Sequence, residues 1–359
     1  MPPTAPVDLA RLGWNAERAA YLDTHHAGLE PARVAVEHRG SYILFTDGGE
    51  VSAEIRGRMR HDAVLRTELP AVGDWVAIRP LPNEPKAIIE AVLPRRSSFS
   101  RDIAGLTTEE QVLAANIDVL FILAGLDGDL NLRRVERFLT LAWEGGARPV
   151  IILTKTDRCD DVAAAVGSVI DVAAGADVVA ICALDGSGVE GLEAYLAGDP
   201  TIALLGTSGV GKSTLINRLL GEDLMITKKV RWDGKGRHTT SHRQLIPLPA
   251  GGAIIDTPGL RELRLWDADA GLDTSFTDIA ELASGCRFAD CSHEHEPGCA
   301  VLTAVDDGTL DGARLASYRK LARELAALER KKDIHLAREH ARKFKKVSND
   351  ARTRSRERW

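Results

Sequence analysis

Residues 201–214 read Thr-Ile-Ala-Leu-Leu-Gly-Thr-Ser-Gly-Val-Gly-Lys-Ser-Thr. An apolar run of strand length stops at Gly206, two further glycines follow, and from Lys212 to Leu220 the apolar residues recur at helical spacing. Strand, glycine-rich turn and helix in that order are the setting G-x4-G-K-[ST] requires. Gly206, Thr207, Ser208, Gly209, Val210 and Gly211 close their backbone N–H groups around phosphate oxygens, and the helix opens with Lys212, Ser213 and Thr214. Lys212 is the expected catalytic cation on the β- and γ-phosphates, and the Ser213 hydroxyl a Mg2+ ligand.

Apolar runs on either side share this texture: Val119–Leu123, Val150–Leu153, Val178–Cys182 and Ala253–Ile255, with helical patterns such as Leu132–Trp143 between them. Continuous apolar strands alternating with helices predict a mostly parallel sheet covered on both faces, with ligands at the carboxyl ends of its strands. Three more motifs fall at such ends. Asp256-Thr-Pro-Gly259 follows one strand; its Asp can hold magnesium through water, and Gly259 can give its N–H to a γ-phosphate. Thr154, Lys155, Thr156 and Asp157 fit the [NT]-K-x-D guanine reader of GTPases: Asp157 accepts from guanine N1 and N2, which adenine cannot match, and the Lys155 stem packs along the nucleotide. Thr154 stands where Asn is usual. Cys182 and Ala183 resemble the Ser-Ala loop whose backbone meets guanine O6, with Cys for Ser. Together these motifs favour GTP over ATP.

Their order is unusual. The guanine-reading motifs at 154 and 182 precede the phosphate loop at 206 and the Asp-x-x-Gly at 256, a circularly permuted arrangement in which the γ-phosphate-sensing segment leads into the C-terminal region. Between the two phosphate motifs, Lys228–Thr240 is basic, contains glycine and ends in two threonines. It reads as the loop that orders over Mg2+, with Thr239 or Thr240 as a second hydroxyl ligand. Residue 260 is Leu, which cannot polarise the attacking water, so hydrolysis is expected to be slow without help. His238 is the candidate replacement catalytic group; a phosphate or RNA contact, or a plain loop histidine, is the alternative reading.

Residues 34–93 differ in texture: short alternating strands broken by turns such as Asp47-Gly48-Gly49, which predict a small OB-type barrel, a fold used both for nucleic acid and for protein contacts. Toward the C-terminus, Cys286, Cys291, His293 and Cys299 supply three thiolates and an imidazole, the set a closed structural zinc site requires, with His295 as a possible substitute for His293. Five cysteines, three of them in this cluster, fit metal ligation in a reducing compartment better than a disulfide framework. The net charge of −6 hides a division: residues 314–359 carry 16 Lys+Arg against 6 Asp+Glu, a net +10, leaving −16 on residues 1–313. A basic arm on an acidic body suggests a polyanionic partner such as RNA, or else a solvated basic helix with Leu315, Tyr318, Leu321, Leu325 and Leu328 on its buried face. The 359 residues, 44% of them hydrophobic and 27% charged, exclude a mini-protein and a disordered chain. With no apolar run near the ~18 residues of a membrane span and no secretory pattern at the N-terminus, a cytoplasmic location without membrane contact is expected.

The combination resembles one family closely, the small-ribosomal-subunit-dependent, circularly permuted GTPases called RsgA or YjeQ. The resemblance is carried by Gly73-Asp-Trp-Val, Pro94-Arg-Arg-Ser, Thr154-Lys-Thr-Asp, Gly206–Thr214, Gly236-Arg-His-Thr-Thr, Asp256-Thr-Pro-Gly and the run from Cys286 to Val301, over about residues 34–330. It implies a multidomain α/β chain: an N-terminal segment (1–33), an OB-type β-barrel (34–95), a circularly permuted P-loop GTPase domain (96–268) and a C-terminal helical zinc-binding domain with a basic tail (269–359). It further implies a monomeric GTP-hydrolysing factor that acts late in small-subunit maturation, is stimulated by the subunit and grips its rRNA, with one structural Zn2+ and Mg2+ with GTP. A large-subunit assembly GTPase and a non-enzymatic rRNA scaffold using GTP as a structural ligand are the alternatives.

Overall fold

The structure is a computed structural model that describes residues 7–38, 40–63, 65–82, 84–103, 109–221, 244–256, 269–288 and 290–326. The expected loop Lys228–Thr240, with His238, Thr239 and Thr240, lies outside these residues, as do Gly259, Leu260 and the tail beyond 326.

A helix, α1 (Ala16–His25), capped by the Asn15 side chain accepting from Arg18 N–H at 3.0 Å, leads into the barrel. Five strands form it: β1 (Glu30–Glu37), β2 (Tyr42–Thr46), β3 (Gly49–Ile55), β4 (Trp75–Pro80) and β5 (Lys86–Val92), with a short helix, α2 (Gly57–Asp62), after β3. The pairing order β1-β2-β3-β5-β4, completed by a β1–β4 ladder, closes the sheet, so the OB-type barrel is present. Its interior is apolar, with Val34, Leu44, Val76, Ile78 and Ile89 nearly inaccessible.

A hairpin, β6 (Ser98–Ile103) and β7 (Glu109–Ala115), joins the barrel to the nucleotide sheet. Two motifs noted in the sequence do their work at this joint. Asp74 is fully buried and held by Arg95, Nε to Oδ1 at 2.8 Å and Nη2 to Oδ2 at 2.6 Å. Burial raises the Asp74 pKa, and the arginine partly offsets it. Gly73 has φ +90°, and a Cβ there would sit 2.2 Å from the Ala115 carbonyl oxygen, so only glycine lets the barrel approach β7 this closely. Arg33, 1% exposed, threads the same joint: it lies over the Trp75 ring at 4.9 Å and donates to the Leu12 and Gly73 carbonyls and, at 2.6 Å, to Thr201 Oγ1. Burial pulls its pKa down to about 9.

The nucleotide sheet contains β8 (Val119–Gly125), α3 (Leu132–Glu144), β9 (Arg148–Thr154), α4 (Val162–Ile170), β10 (Asp177–Ala180), α5 (Glu193–Leu196), β11 (Thr201–Leu205), α6 (Lys212–Leu220), β12 (Gln244–Pro247) and β13 (Ala253–Asp256). Strand order is β10-β9-β8-β11-β13-β12, parallel except for β12. The chain first runs outward from β8 to β10, then returns to the centre at β11 and runs the other way. The crevice between β8 and β11 is therefore the topological switch point where such sheets bind ligands. β12 also meets barrel strand β1 through Val36 and Gln244.

Of the C-terminal helices α7 (Asp269–Ser275), α8 (Thr277–Ala283), α9 (Ala300–Asp306) and α10 (residues 312–326), α7 packs on α3, α8 packs on α7 and α9, and α10 reaches α3 through Arg314 and Ser317. The contact centres on Glu136, a fully buried carboxylate on α3 that accepts from Arg133 and Arg314 at 2.8 Å each and from Ser317 at 2.9 Å. Arg314 also grips Asp278 through Nε at 2.6 Å and Nη2 at 2.7 Å. Although burial opposes its charge, these two acids raise the Arg314 pKa. Glu136→Ala leaves Arg314 with Asp278 and leaves Arg133 partly hydrated. The expected loss is therefore about 2–3 kcal/mol, somewhat below that of a fully buried pair. Chemical denaturation reads it as a lower midpoint, and an unchanged midpoint would mean the network contributes nothing net.

Candidate nucleotide site and metal centre

Because β8, β9, β10, β11 and β13 run parallel, the segments after their last residues share one edge of the sheet. That edge receives Thr154–Asp157 from β9, Cys182-Ala183 from beyond β10, the glycine loop from β11 and Asp256 from β13. Motifs separated by about a hundred residues in sequence are thus gathered at the switch point.

In the glycine loop, Gly211 takes φ +104° at the N-cap of α6, a left-handed turn that lets the helix start with its free N–H groups facing the loop. Val210 is buried, Thr207 half-buried, and Ser208, Gly209, Ser213 and Thr214 exposed. The Lys212 ammonium crosses the loop mouth and donates to the Gly206 carbonyl at 2.7 Å and to that of Thr207. These are the weak acceptors that phosphate oxygens would displace.

Thr154 is 1% exposed, and its hydroxyl donates to the Val210 carbonyl at 2.7 Å. The side chain therefore ties the end of β9 to the phosphate loop instead of facing the solvent of the crevice. Lys155 adopts φ +61° and pairs through Nζ with Asp127. Thr156 N–H donates to the Ile181 carbonyl at 3.4 Å, joining the two base-side loops. Asp157 exposes 42% of its side chain, and its Oδ1 accepts from the buried Cys182 thiol at 3.3 Å. Cysteine in place of serine keeps a donor on this carboxylate, though a weaker one. Ala183 is buried, and Asp256, at the end of β13, is half-buried.

The other centre is at the C-terminal end. One donor atom from each of Cys286, Cys291, His293 and Cys299 lies within 4.8 Å of the others. Cys286 Sγ is 3.8 Å from Cys299 Sγ, and His293 Nδ1 is 3.6 and 3.4 Å from the two sulfurs. A tetrahedral ion with bonds of about 2.3 Å to sulfur and about 2.1 Å to nitrogen requires edges of this size. His293, not His295, completes the set. It has φ +59° and is buried, and burial holds its pKa below the usual value, favouring the neutral ring a metal needs. Glu296 braces the loop by accepting from Ser292 N–H at 3.0 Å and Glu294 N–H at 2.9 Å, and the bond from the Ser292 hydroxyl, aided by the His295 and Ser292 N–H groups, lowers its pKa to about 2. Behind the cluster, the Tyr318 ring of α10 lies tilted against His293, ring centres 6.2 Å apart, and edge-on to Phe276 at 5.6 Å.

A family model described as "RsgA GTPase" matches residues 92–266, and one described as "50S ribosome-binding GTPase" matches residues 201–337. Over 359 aligned positions, 97% of this chain and 98% of its counterpart, the chain is 46% identical to a protein of Opitutus terrae named "Small ribosomal subunit biogenesis GTPase RsgA". The chain belongs to the RsgA GTPase family. A second relative, "Small ribosomal subunit biogenesis GTPase RsgA 2" of Lactiplantibacillus plantarum, is 47% identical over 89% of this chain and 90% of its own. Among solved structures, YjeQ from Thermotoga maritima superposes with a TM-score of 0.62 at 26% identity, covering 83% of this chain and 98% of that one.

Around the pocket of this RsgA-family chain stand residues that no motif announces. The loop after β8 contributes Asp127, paired with Lys155, and Asp129, which accepts from Thr207 Oγ1 and Arg134 at 2.9 Å each. Those contacts, Lys155 on the first and Arg134 on the second, hold both carboxyls below the usual range. Arg218 of α6 reaches the loop that follows Cys182. The available signal was positional: Asp127 and Asp129 follow a central parallel strand, where a ligand-facing loop is expected.

Proposed function

We propose that this chain binds GTP at the switch-point crevice, hydrolyses it to GDP and phosphate, and does so on the small ribosomal subunit during its late maturation, in the cytoplasm and as a monomer. The observation that carries the reading is the convergence of the phosphate loop, the Asp157 loop, the Cys182-Ala183 loop and Asp256 on one edge of a permuted sheet. Near-full-length relatives named for small-subunit biogenesis support the choice of partner.

In this reading Asp157 selects guanine by accepting from N1 and N2, with Cys182 steadying its carboxylate and Lys155 lying beside the base. Backbone N–H groups from Ser208 to Ser213 and the Lys212 ammonium hold the phosphates and stabilise charge on the transferring group. Ser213, with Thr239 or Thr240, would hold Mg2+, which neutralises the phosphate oxygens when bound. Gly259 and His238 are assigned to the γ-phosphate side. Cys286, Cys291, His293 and Cys299 would hold one Zn2+ as a structural ion, four protein donors leaving no open position for chemistry. Residues 34–95, 96–268 and 269–359 act as barrel, GTPase and zinc units.

Ribosomal RNA is the proposed polyanion. An open cleft on the barrel is lined by Arg56, Arg60 and Arg79, two of them anchored on Glu90 at 2.8 and 3.2 Å, and the basic arm supplies further charge. Among the described residues no helix is long and apolar enough to cross a membrane.

GTP turnover with and without purified small subunits, at several salt concentrations, tests the proposal. Stimulation of ten-fold or more by small subunits, about 1.4 kcal/mol in the barrier, and weakening with salt are expected. Stimulation by large subunits alone would reassign the partner, and no turnover under any condition would leave a nucleotide-binding scaffold.

A further inference from the structure

We propose that Arg218 is a positioning residue for guanine, setting the aim of the base-side loop from the far end of the phosphate-binding helix. The inference rests on the proposed reading of Cys182-Ala183 as the segment whose backbone meets guanine O6.

The loop is a closed turn. Cys182 N–H donates to the Ser187 carbonyl at 2.8 Å, and Gly186 N–H donates back to the Cys182 carbonyl at 2.9 Å. Asp185 Oδ1 accepts from Ser187 N–H at 2.8 Å. Inside that turn the carbonyls of Ala183 and Leu184 face α6. There Arg218 takes both: Nε donates to Ala183 O at 2.8 Å and Nη2 to Leu184 O at 2.7 Å. A trans peptide holds its N–H opposite its C=O, so fixing these two carbonyls on the Arg218 side turns the N–H groups of Leu184 and Asp185 the other way. Both bonds come from a cation, which makes them stronger than neutral ones and polarises the peptides they hold.

Space is reserved for the contact. A Cβ on Gly186 would lie 2.5 Å from Arg218 Nη1, so the glycine leaves room for the guanidinium. Arg218 stands six residues after Lys212 on one helix, about 9 Å along its axis. The element that carries the phosphate cation at its start therefore carries the base-loop anchor in its last turn. A rigid helix thus fixes the separation between the phosphate and base halves of the pocket. No other charged side chain is bonded to these two carbonyls among the described residues.

The test compares GDP with 2-aminopurine riboside 5′-diphosphate, which lacks O6 and with it the N1 proton while keeping the 2-amino group for Asp157, as ligands for wild type, Arg218→Ala and Arg218→Lys by titration calorimetry, with thermal melts alongside. Wild type should favour GDP. Arg218→Ala should weaken GDP by up to about tenfold, the upper end of the worth of one neutral backbone hydrogen bond to O6, while the O6-free nucleotide changes by less than about twofold. Arg218→Lys, able to hold one carbonyl, should fall between, and all three should melt in a single transition well above the titration temperature, Arg218→Ala lowest. Equal weakening of both nucleotides, or none, would overturn the positioning role. A wild type with no preference for GDP would remove the base-reading assignment itself, and the inference with it.

Discussion

Lys212→Ala is expected to lower GTP turnover by about 10²–10³-fold, because the ammonium is a pre-positioned charge on the oxygens that gain charge as the phosphoryl transfers, and removing one such group costs about 3–4 kcal/mol. Ground-state affinity should fall as well, read by fluorescent GDP titration. The loop itself should persist. Its shape is held by the left-handed Gly211 and by the Thr154 hydroxyl on the Val210 carbonyl, neither of which involves the lysine. Turnover and affinity should therefore drop with little change in melting temperature. A variant within a few-fold of wild type in both measurements would show that phosphates are held elsewhere.

Elemental analysis is expected to find near one zinc per chain in wild type and none in Cys291→Ser, whose C-terminal helices should unfold at lower temperature. Three donors would remain around a position that needs four. A structural ion contributes folding energy directly, with about 10–16 kcal/mol in isolated zinc peptides as the upper bound. Here the loss should be smaller, several kcal/mol, since Phe276, Tyr318 and the Glu136–Arg314 contact hold α7–α10 on α3 without the ion. Nucleotide affinity should survive the change, because the pocket sits at the strand ends and the cluster at the C-terminal helices. Metal-free wild-type protein of undiminished stability would remove the structural assignment.

The sequence displayed those parts whose cause is local. Lys212–Leu220 is read to the residue because a glycine turn starts it and apolar spacing sustains it, and the central strands stand out because burial on both faces demands unbroken apolar runs. The Cys3His quartet is equally local: three thiols and an imidazole within fourteen residues, placed to hold a metal ion, have few other uses. What stayed hidden depends on partners far along the chain. β12 is four residues ending in proline, a strand only because β13 and β1 flank it, and the β6–β7 hairpin is too polar to announce itself. Arg33 and Glu136 look like surface charges in the sequence and are buried because Thr201 and Arg314, each more than 160 residues away, come to meet them.

Thr154 shows the same limit within the site. From sequence it is an altered guanine-motif position; in the fold it is the hydroxyl that joins that motif to the phosphate loop. β12 carries a further consequence of topology. It lies between the two segments assigned to the γ-phosphate and touches the barrel through Val36, so the nucleotide edge and the barrel share a strand neighbour.

The most direct measurement is a crystal structure of the chain with GDP and Mg2+. The account predicts the phosphates within the loop from Gly206 to Ser213 and the Asp157 carboxylate about 3 Å from guanine N1 and N2, a normal hydrogen-bond distance. A nucleotide whose phosphates occupy that loop while its base lies away from Asp157 would contradict it.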